Sequence, residues 1–149
     1  LVKNGANIDA AARGDGTALL VAAKRDNLAI VRELIELGAN VNQPSRGDGN
    51  PLIAAAAYGN LEVAQVLVDA GANVNAIVPG DETPLINAAR RSHLPIVKYL
   101  VEHGADVNLG MLADRGEWRS PLNQASSGTI RQYLIDKGAV SDNRGGGSK

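Results

Sequence analysis

A motif that begins with Gly-Ala and recurs about every 33 residues constrains this chain more than any other feature of its sequence. A second motif keeps the same phase, with GDGTALLVAA, GDGNPLIAAA and GDETPLINAA as successive copies. Because self-similarity at such a period is typical of stacked supersecondary units, we expect repeated modules rather than a single central core. The first motif begins with Gly-Ala at Gly5, Gly38, Gly71, Gly104 and Gly138.

The composition agrees with closely stacked, thin layers and excludes several classes of function. The 149 residues include 17 Gly, no Phe and only 3% aromatic residues. The absence of Cys excludes disulfides, Cys-based zinc sites and a thiol nucleophile. A net charge of −1 and the few aromatic residues argue against nucleic-acid binding. No apolar run approaches the roughly 18 residues of a membrane helix, so we expect no membrane insertion of this segment.

Each repeat contains the signals of a short helix that begins at a fixed position. A side chain able to accept a backbone N–H bond precedes an Ala-rich stretch in every copy, and Pro follows it in three of them. Such residues cap helix N-termini, and Pro is tolerated at the first helical position. The predicted caps are Thr17, Asn50, Thr83 and Ser120.

A second helix of about ten residues is predicted to follow the first. Its apolar residues recur at helical spacing, as at Leu61, Ala64 and Leu67. A glycine at the end of each copy suits the left-handed conformation that terminates helices. The N-terminal caps predicted for this helix are Asn27, Asn60 and His93.

Two short helices and a hairpin, with a period of 33 and a T-P-L-x-x-A-A core, resemble the ankyrin repeat family. The resemblance implies an all-α ankyrin repeat solenoid, made of helix-turn-helix units joined by β-hairpin-like loops. The His that the family usually has after T-P-L, where it hydrogen-bonds between repeats, is absent here. We therefore expect repeats to adhere more through apolar contact. The replacing residues are Leu20, Ile53, Ile86 and Asn123.

The repeat also predicts how the chain is divided. Because the sequence starts within a repeat, we expect a fragment of a longer polypeptide. The last unit has a longer hairpin, a first helix about three residues shorter, and a more polar sequence, which suits a capping repeat. The predicted ankyrin domain spans 1–140, with a partial repeat 1–12, repeats at about 13–45, 46–78 and 79–115, a capping repeat 116–140, and a flexible tail 141–149.

A search for catalytic or metal-binding chemistry gives no candidate. His93 and His103 have no third ligand at metal-binding spacing, and no nucleophile–base arrangement or phosphate-binding glycine motif is present. Carboxylates recur at one hairpin position, which turn chemistry explains better than acid–base catalysis. We expect no enzyme activity, no cofactor and no metal. The same turn requirement explains the Arg-Gly-Asp tripeptides, which fall in register with the repeat.

The family resemblance places partner binding on hairpin tips and on the exposed side of the first helices, which line a concave groove. Tyr, Trp and Arg are enriched in interface hot spots, and basic pairs end two of these helices. Two alternatives stay open: basic residues also suit a helix C-terminus, and Trp118 could cover the last repeat. The predicted partner-binding residues are Arg13, Lys24, Arg25, Arg46, Tyr58, Glu82, Arg90, Arg91, Trp118 and Arg119.

The preferred hypothesis is a non-catalytic, monomeric protein–protein interaction module whose partner presents an acidic segment. The alternative is a regulatory or sensor segment of a larger protein. The segment GDETPLINAA resembles bacterial ankyrin arrays, some of which are joined to membrane metallopeptidase sensors. The family as a whole favours the cytoplasm, and the bacterial resemblance allows an extracytoplasmic location.

Overall fold

The computed structural model describes residues 7–11, 14 and 16–141. Within these ranges eight α-helices form four pairs, each with an inner helix followed by an outer helix. The inner helices are α1 Ala18–Lys24, α3 Pro51–Tyr58, α5 Pro84–Arg90 and α7 Pro121–Gln124. The outer helices are α2 Leu28–Glu36, α4 Leu61–Asp69, α6 Leu94–Glu102 and α8 Gly128–Asp136. The regular strands in this part are β1 Met111–Leu112 and β2 Trp118–Arg119.

This arrangement confirms the predicted all-α stack of helix pairs. The predicted tail from 142 onward and residues 1–6 of the predicted partial repeat lie outside the described residues. Helix α7 has four residues against seven in α5, the shortening that the sequence predicts. No helix in the described ranges combines the length and hydropathy needed to cross a membrane.

The inner helices begin where the sequence predicts, because their capping bonds are local. The Thr17 hydroxyl accepts from the Leu20 N–H, and Asn50 accepts from the Ile53 N–H. Thr83 caps α5 in the same way. In the last repeat Ser120 and Asn123 bond each other's backbone N–H reciprocally, which forms a capping box.

The hairpins between helix pairs are mostly single tight turns. Ser45 and Gly49 form one isolated antiparallel bridge, and Val78 and Glu82 form the equivalent bridge one repeat later. Among the hairpins that the structure describes in full, only the longer last one contains paired strands, in which β1 and β2 run antiparallel. The turns project from the same edge of the stack as the N-termini of the inner helices.

Small side chains let the inner helices pack closely. Each inner helix contacts the inner helix of the next repeat over much of its length, whereas outer helices contact one another less. The inner helices therefore form the more tightly packed side of the stack. The fully buried alanines between them are Ala23, Ala55, Ala56, Ala88 and Ala89.

The apolar residues that replace the family's histidine are buried, as expected. Leu20, Ile53 and Ile86 each expose 2% of their surface or less. Asn123, at the same position of the last repeat, is exposed and belongs to the capping box. Burying a large aliphatic side chain contributes about 1.5–3 kcal/mol, so these residues contribute substantially to the stability of the fold.

A ladder of side-chain hydrogen bonds, which the sequence analysis did not predict, also joins the repeats. Asn75 accepts from the Asp106 N–H at 2.8 Å and donates to the Gly104 carbonyl at 3.0 Å. The amide thus satisfies two backbone groups in the next repeat at once. Asn42 and Asn108 make the same pair of bonds to the repeats that follow them.

Two of the three caps predicted for the outer helices are wrong. Asn27 does cap α2, since its Oδ1 accepts from the Ile30 N–H. Asn60 and His93 make no side-chain cap bond. Both side chains instead contact the end of the inner helix in the preceding repeat. Asn60 Nδ2 donates to the Ala23 carbonyl of α1 at 2.8 Å, and His93 Nε2 lies 3.0 Å from the Ala57 carbonyl of α3. Carbonyls left free at a helix C-terminus need such donors, and a neighbouring repeat supplies them.

Candidate functional site

The surface formed by the inner helices and the adjoining turns is called here the inner face. Nine of the ten predicted partner-binding residues lie in the part of the chain that the structure describes, and Arg13 lies outside it. The nine occupy either the C-terminal ends of inner helices or the hairpin segments between repeats. Eight of them fall into three groups: an ion pair, a four-residue polar network, and a set of exposed side chains. The ninth, Trp118, combines packing with partial exposure.

The ion pair links the first helix pair to the second turn. Lys24, the last residue of α1, places its Nζ 3.1 Å from Oδ1 of Asp48. About a third of the Lys24 side chain and a fifth of the Asp48 side chain are exposed. Lys24 therefore contributes to holding adjacent repeats in register, and its charge is partly neutralised before any partner binds.

The polar network surrounds Glu82. Its carboxylate is hydrogen-bonded by Arg90 of α5 through one oxygen and by Arg119 of β2 through the other. Arg90 also donates from Nε to Oε1 of Gln124 in α7, at 3.1 Å. The hydrogen bond that Arg119 donates to Glu82 raises the pKa of Arg119 above its ordinary value. This network joins the third repeat to the fourth, and both arginine side chains remain about one-third exposed.

The prediction that Glu82 lies exposed at a hairpin tip is wrong. Glu82 is only 2% exposed and has φ 68°, a left-handed conformation. The equivalent residue one repeat earlier is Gly49, with φ 75°. A glutamate is strained there, whereas glycine is not. Two arginines compensate for both the burial and the strain, so Glu82 acts by orienting Arg90 and Arg119.

The exposed group contains the side chains that are free to meet another molecule. Tyr58, the last residue of α3, is 52% exposed. Arg25 and Arg91 are the equivalent residues that follow α1 and α5, and both are exposed. Arg46 is exposed on the second turn. The structure thus separates the basic pairs: one member of each is tied internally and the other faces solvent.

Trp118 combines a packing role with partial exposure. Its indole ring lies against Gly110, where an added Cβ would come within 2.7 Å of the ring. Its backbone carbonyl accepts from Asn123 Nδ2 at 2.9 Å, which ties β2 to α7. The ring therefore covers part of the last hairpin, which agrees with the alternative of a packing role, while its half-buried state leaves an edge on the surface.

Asp81 is a functional candidate that the sequence analysis assigned only to turn chemistry. Its Oδ2 is buried and has no hydrogen-bond partner. Burial raises the pKa of this carboxyl group, and the nearby charges of Asp48 and Glu82 raise it further, against a backbone hydrogen bond from Gly49 that lowers it. A comparison of equivalent repeat positions could have revealed it. Lys24, which pairs with the equivalent carboxylate Asp48, is followed one repeat later by Ala57 and two repeats later by Arg90, so the repeat that faces Asp81 is the one without a cation.

The arrangement suits recognition of charged and aromatic groups. Among the described residues, no three His, Asp or Glu side chains are grouped as a metal site would require. The inner face instead carries hydrogen-bond donors, carboxylates and an aromatic ring on a backbone fixed by inter-repeat bonds. Such a surface can bind a polypeptide with little reorganisation.

The stacked helix pairs define a helical repeat protein, and comparisons with known families identify the kind. A family model described as ankyrin repeats (3 copies) matches residues 1–78, and one described as ankyrin repeats (many copies) matches residues 67–111. The chain therefore belongs to the ankyrin repeat family. No curated protein sequence matches the chain significantly. Ankyrin repeats are generally protein–protein interaction modules, and these families are typically non-catalytic.

Proposed function

We propose that this protein binds a segment of another protein on its inner face and has no catalytic activity of its own. The observation that carries the proposal is the position of Tyr58. A ring that is 52% exposed ends α3, at the repeat position that Arg25 and Arg91 occupy on either side of it, in a chain with only three tyrosines and one tryptophan. Aromatic side chains on rigid elements are characteristic anchors of protein interfaces.

The charges around Tyr58 indicate what the partner presents. Arg25, Arg46 and Arg91 are exposed and take part in no ion pair among the described residues. Carboxylate groups of an acidic segment would meet these side chains and the spare N–H donors of Arg119. Predicted contact residues are thus Arg25, Arg46, Tyr58, Arg91, Trp118 and Arg119, with Lys24, Glu82 and Arg90 holding the surface in shape.

The mechanism is recognition by a preformed surface. Inter-repeat bonds and buried alanines fix the inner helices before binding, so ordering costs fall mainly on the partner segment. A stable complex of this kind buries about 1,200–2,000 Å² in total. Regulation of an attached enzyme, the alternative drawn from the sequence, would use the same kind of contact with a partner in the same polypeptide.

The test compares two variants that remove equally exposed apolar side chains. Tyr58→Ala removes the central ring, and Leu37→Ala removes a side chain that is 51% exposed at the end of α2. A binder captured by the wild-type protein is then titrated calorimetrically against both. The proposal expects Tyr58→Ala to weaken binding at least about tenfold, as for an interface hot spot, and Leu37→Ala to leave it unchanged. Equal affinities for the two variants would reject it.

A further inference from the structure

The junction between two successive repeats is called here an interval, and each of the three intervals has a turn with a carboxylate at one repeated position. The charged partner of this carboxylate differs among the three. In the first interval, Lys24 of α1 pairs with Asp48 at 3.1 Å. In the last, Arg119 lies 3.7 Å from Glu117. In the middle interval Asp81 occupies the same place in its turn, and no Lys or Arg among the described residues lies within 4.0 Å of its carboxylate.

The missing cation follows directly from the sequence. The residue one repeat after Lys24 is Ala57, which is the next-to-last residue of α3, as Lys24 is the last of α1. Alanine ends at Cβ, so the space that the Lys24 side chain fills in the first interval has no occupant from this position in the second. Ala57 is also partly exposed, unlike the alanines between the helices.

Asp81 itself is an unusual carboxylate for a turn. One oxygen is buried without a hydrogen-bond partner, although buried polar groups are nearly always paired. Asp48 and Glu82 lie close enough to oppose its charge, but Asp48 is already paired with Lys24, and Glu82 with Arg90 and Arg119. Of these three neighbouring carboxylates, Asp81 is the one left without a counter-charge.

An aromatic residue follows Ala57 at the end of the same helix. Tyr58 directly follows Ala57 and ends α3 with about half its surface exposed. A cation that approaches a carboxylate beside an exposed aromatic ring gains from both, because the face of the ring attracts positive charge. The methylene groups of a long basic side chain can also lie against apolar surface while its charged end is paired.

We propose that the middle interval is a subsite for a lysine or arginine side chain of the bound segment, with Asp81 as its counter-charge, Ala57 as its floor and Tyr58 at its side. This rests on the proposed binding of a polypeptide to the inner face, and it adds a basic residue to the acidic ones that Arg25 and Arg91 would meet. The incoming side chain takes the place that Lys24 holds in the preceding interval. The partner segment is therefore of mixed charge, with its basic residue between acidic ones.

The probe is a blocked pentapeptide of sequence Gly-Ala-Lys-Ala-Gly, compared with the same peptide carrying norleucine in place of lysine. Backbone amide resonances of the ¹⁵N-labelled protein are followed during titration at low ionic strength. The lysine peptide is expected to shift the amides of Gly49, Ala57 and Asp81 in a saturable manner. The norleucine peptide is expected to bind at least about tenfold more weakly, since it lacks one charged hydrogen bond.

Two variants test the assignment from opposite directions. Ala57→Lys supplies the missing cation from within the chain, so it should abolish the shifts at Asp81. Lys24→Ala vacates the first interval, so it should create a second set of saturable shifts at Gly16 and Asp48. Asp81→Asn should remove the original site and leave the overall amide spectrum, and hence the fold, intact.

Several results would overturn the subsite. These are equal binding of the two peptides, shifts distributed over exposed carboxylates such as Glu36 and Asp69, or unchanged shifts in Ala57→Lys. None of them bears on the Tyr58→Ala titration described above. Loss of that effect would reject binding at the inner face, whereas failure of the lysine peptide alone would reject only the basic residue in its partner.

Discussion

Asn60 donates its side-chain amide to the Ala23 carbonyl at 2.8 Å, so that one amide joins the start of the second outer helix to the end of the first inner helix. His93 and Ser126 make the corresponding contacts one and two repeats later, to Ala57 and Ala89. The inner helices are thus fixed to one another at the ends that carry Lys24, Tyr58 and Arg90. Cohesion between repeats and the shape of the inner face have the same physical origin.

Replacement of Asn60 by Ala should therefore destabilise the fold. The change removes one partly buried hydrogen bond to a helix-end carbonyl, for which a loss of about 1 kcal/mol is typical. Urea-induced unfolding at equilibrium measures it, with Gln65→Ala on the same outer helix as a control expected to stay within about 0.5 kcal/mol of wild type. Equal unfolding midpoints for Asn60→Ala and wild type would show that the bond contributes nothing.

The adjacent arginines Arg90 and Arg91 should differ sharply in their effect on stability. Arg90→Ala leaves the buried Glu82 carboxylate with a single partner and deprives Gln124 of its donor, so we expect a loss of about 1–3 kcal/mol. Arg91→Ala removes an exposed side chain and should change stability by less than about 0.5 kcal/mol. The free energies of unfolding of the two variants, measured side by side, check this. Indistinguishable values would contradict the described network.

How much of this the sequence could reveal depends on the distance over which each interaction acts. The caps at Thr17, Asn50, Thr83 and Ser120 were predictable because a capping bond spans three residues. The roles of Asn60 and His93 were not, because their partners lie 36 or 37 residues earlier and residue type alone favours a cap. Local chemistry fixed the helix starts, whereas contacts between repeats decided the roles of the second-helix residues.

The candidate site shows the same division. The sequence indicated that Tyr58 and the basic pairs matter, and it could not tell which member of each pair is tied internally. Glu82 was misplaced because a glutamate in a turn is ordinarily exposed. The exception was visible in the sequence, because the residues one and two repeats before Glu82 are Gly49 and Gly16. Glycine at both positions indicates a left-handed backbone, which the structure has at all three residues. Such a residue persists at a strained position when the surrounding side chains hold it there.

The raised pKa of Asp81 predicts a pH-dependent stability difference. Its pKa in the folded protein lies above its ordinary value of 3.8, so folding favours the protonated form. The stabilising contribution is present at low pH and is lost as pH rises through the folded pKa, which leaves a buried charge at neutral pH. Asp81→Asn should therefore stabilise the protein at pH 7, and the gain should shrink as pH falls through the folded pKa toward 3.8.

Urea unfolding of wild type and Asp81→Asn at pH 7 and pH 3 measures this difference. Asp114→Asn, at an exposed carboxylate in the last hairpin, is the matched control and should show no gain at pH 7. A variant that is less stable than wild type at pH 7 would mean that the Asp81 charge is favourably paired, contrary to its assigned environment.

Hydrogen–deuterium exchange of the protein, alone and with a bound partner, tests the central claim most directly. Binding on a preformed inner face predicts added protection in the hairpin turns and at the C-terminal ends of α1, α3 and α5, with α2, α4, α6 and α8 unchanged. Because the surface exists before binding, the inner helices should already be protected in the free protein. Added protection confined to the outer helices, or inner helices that become protected only on binding, would contradict the account.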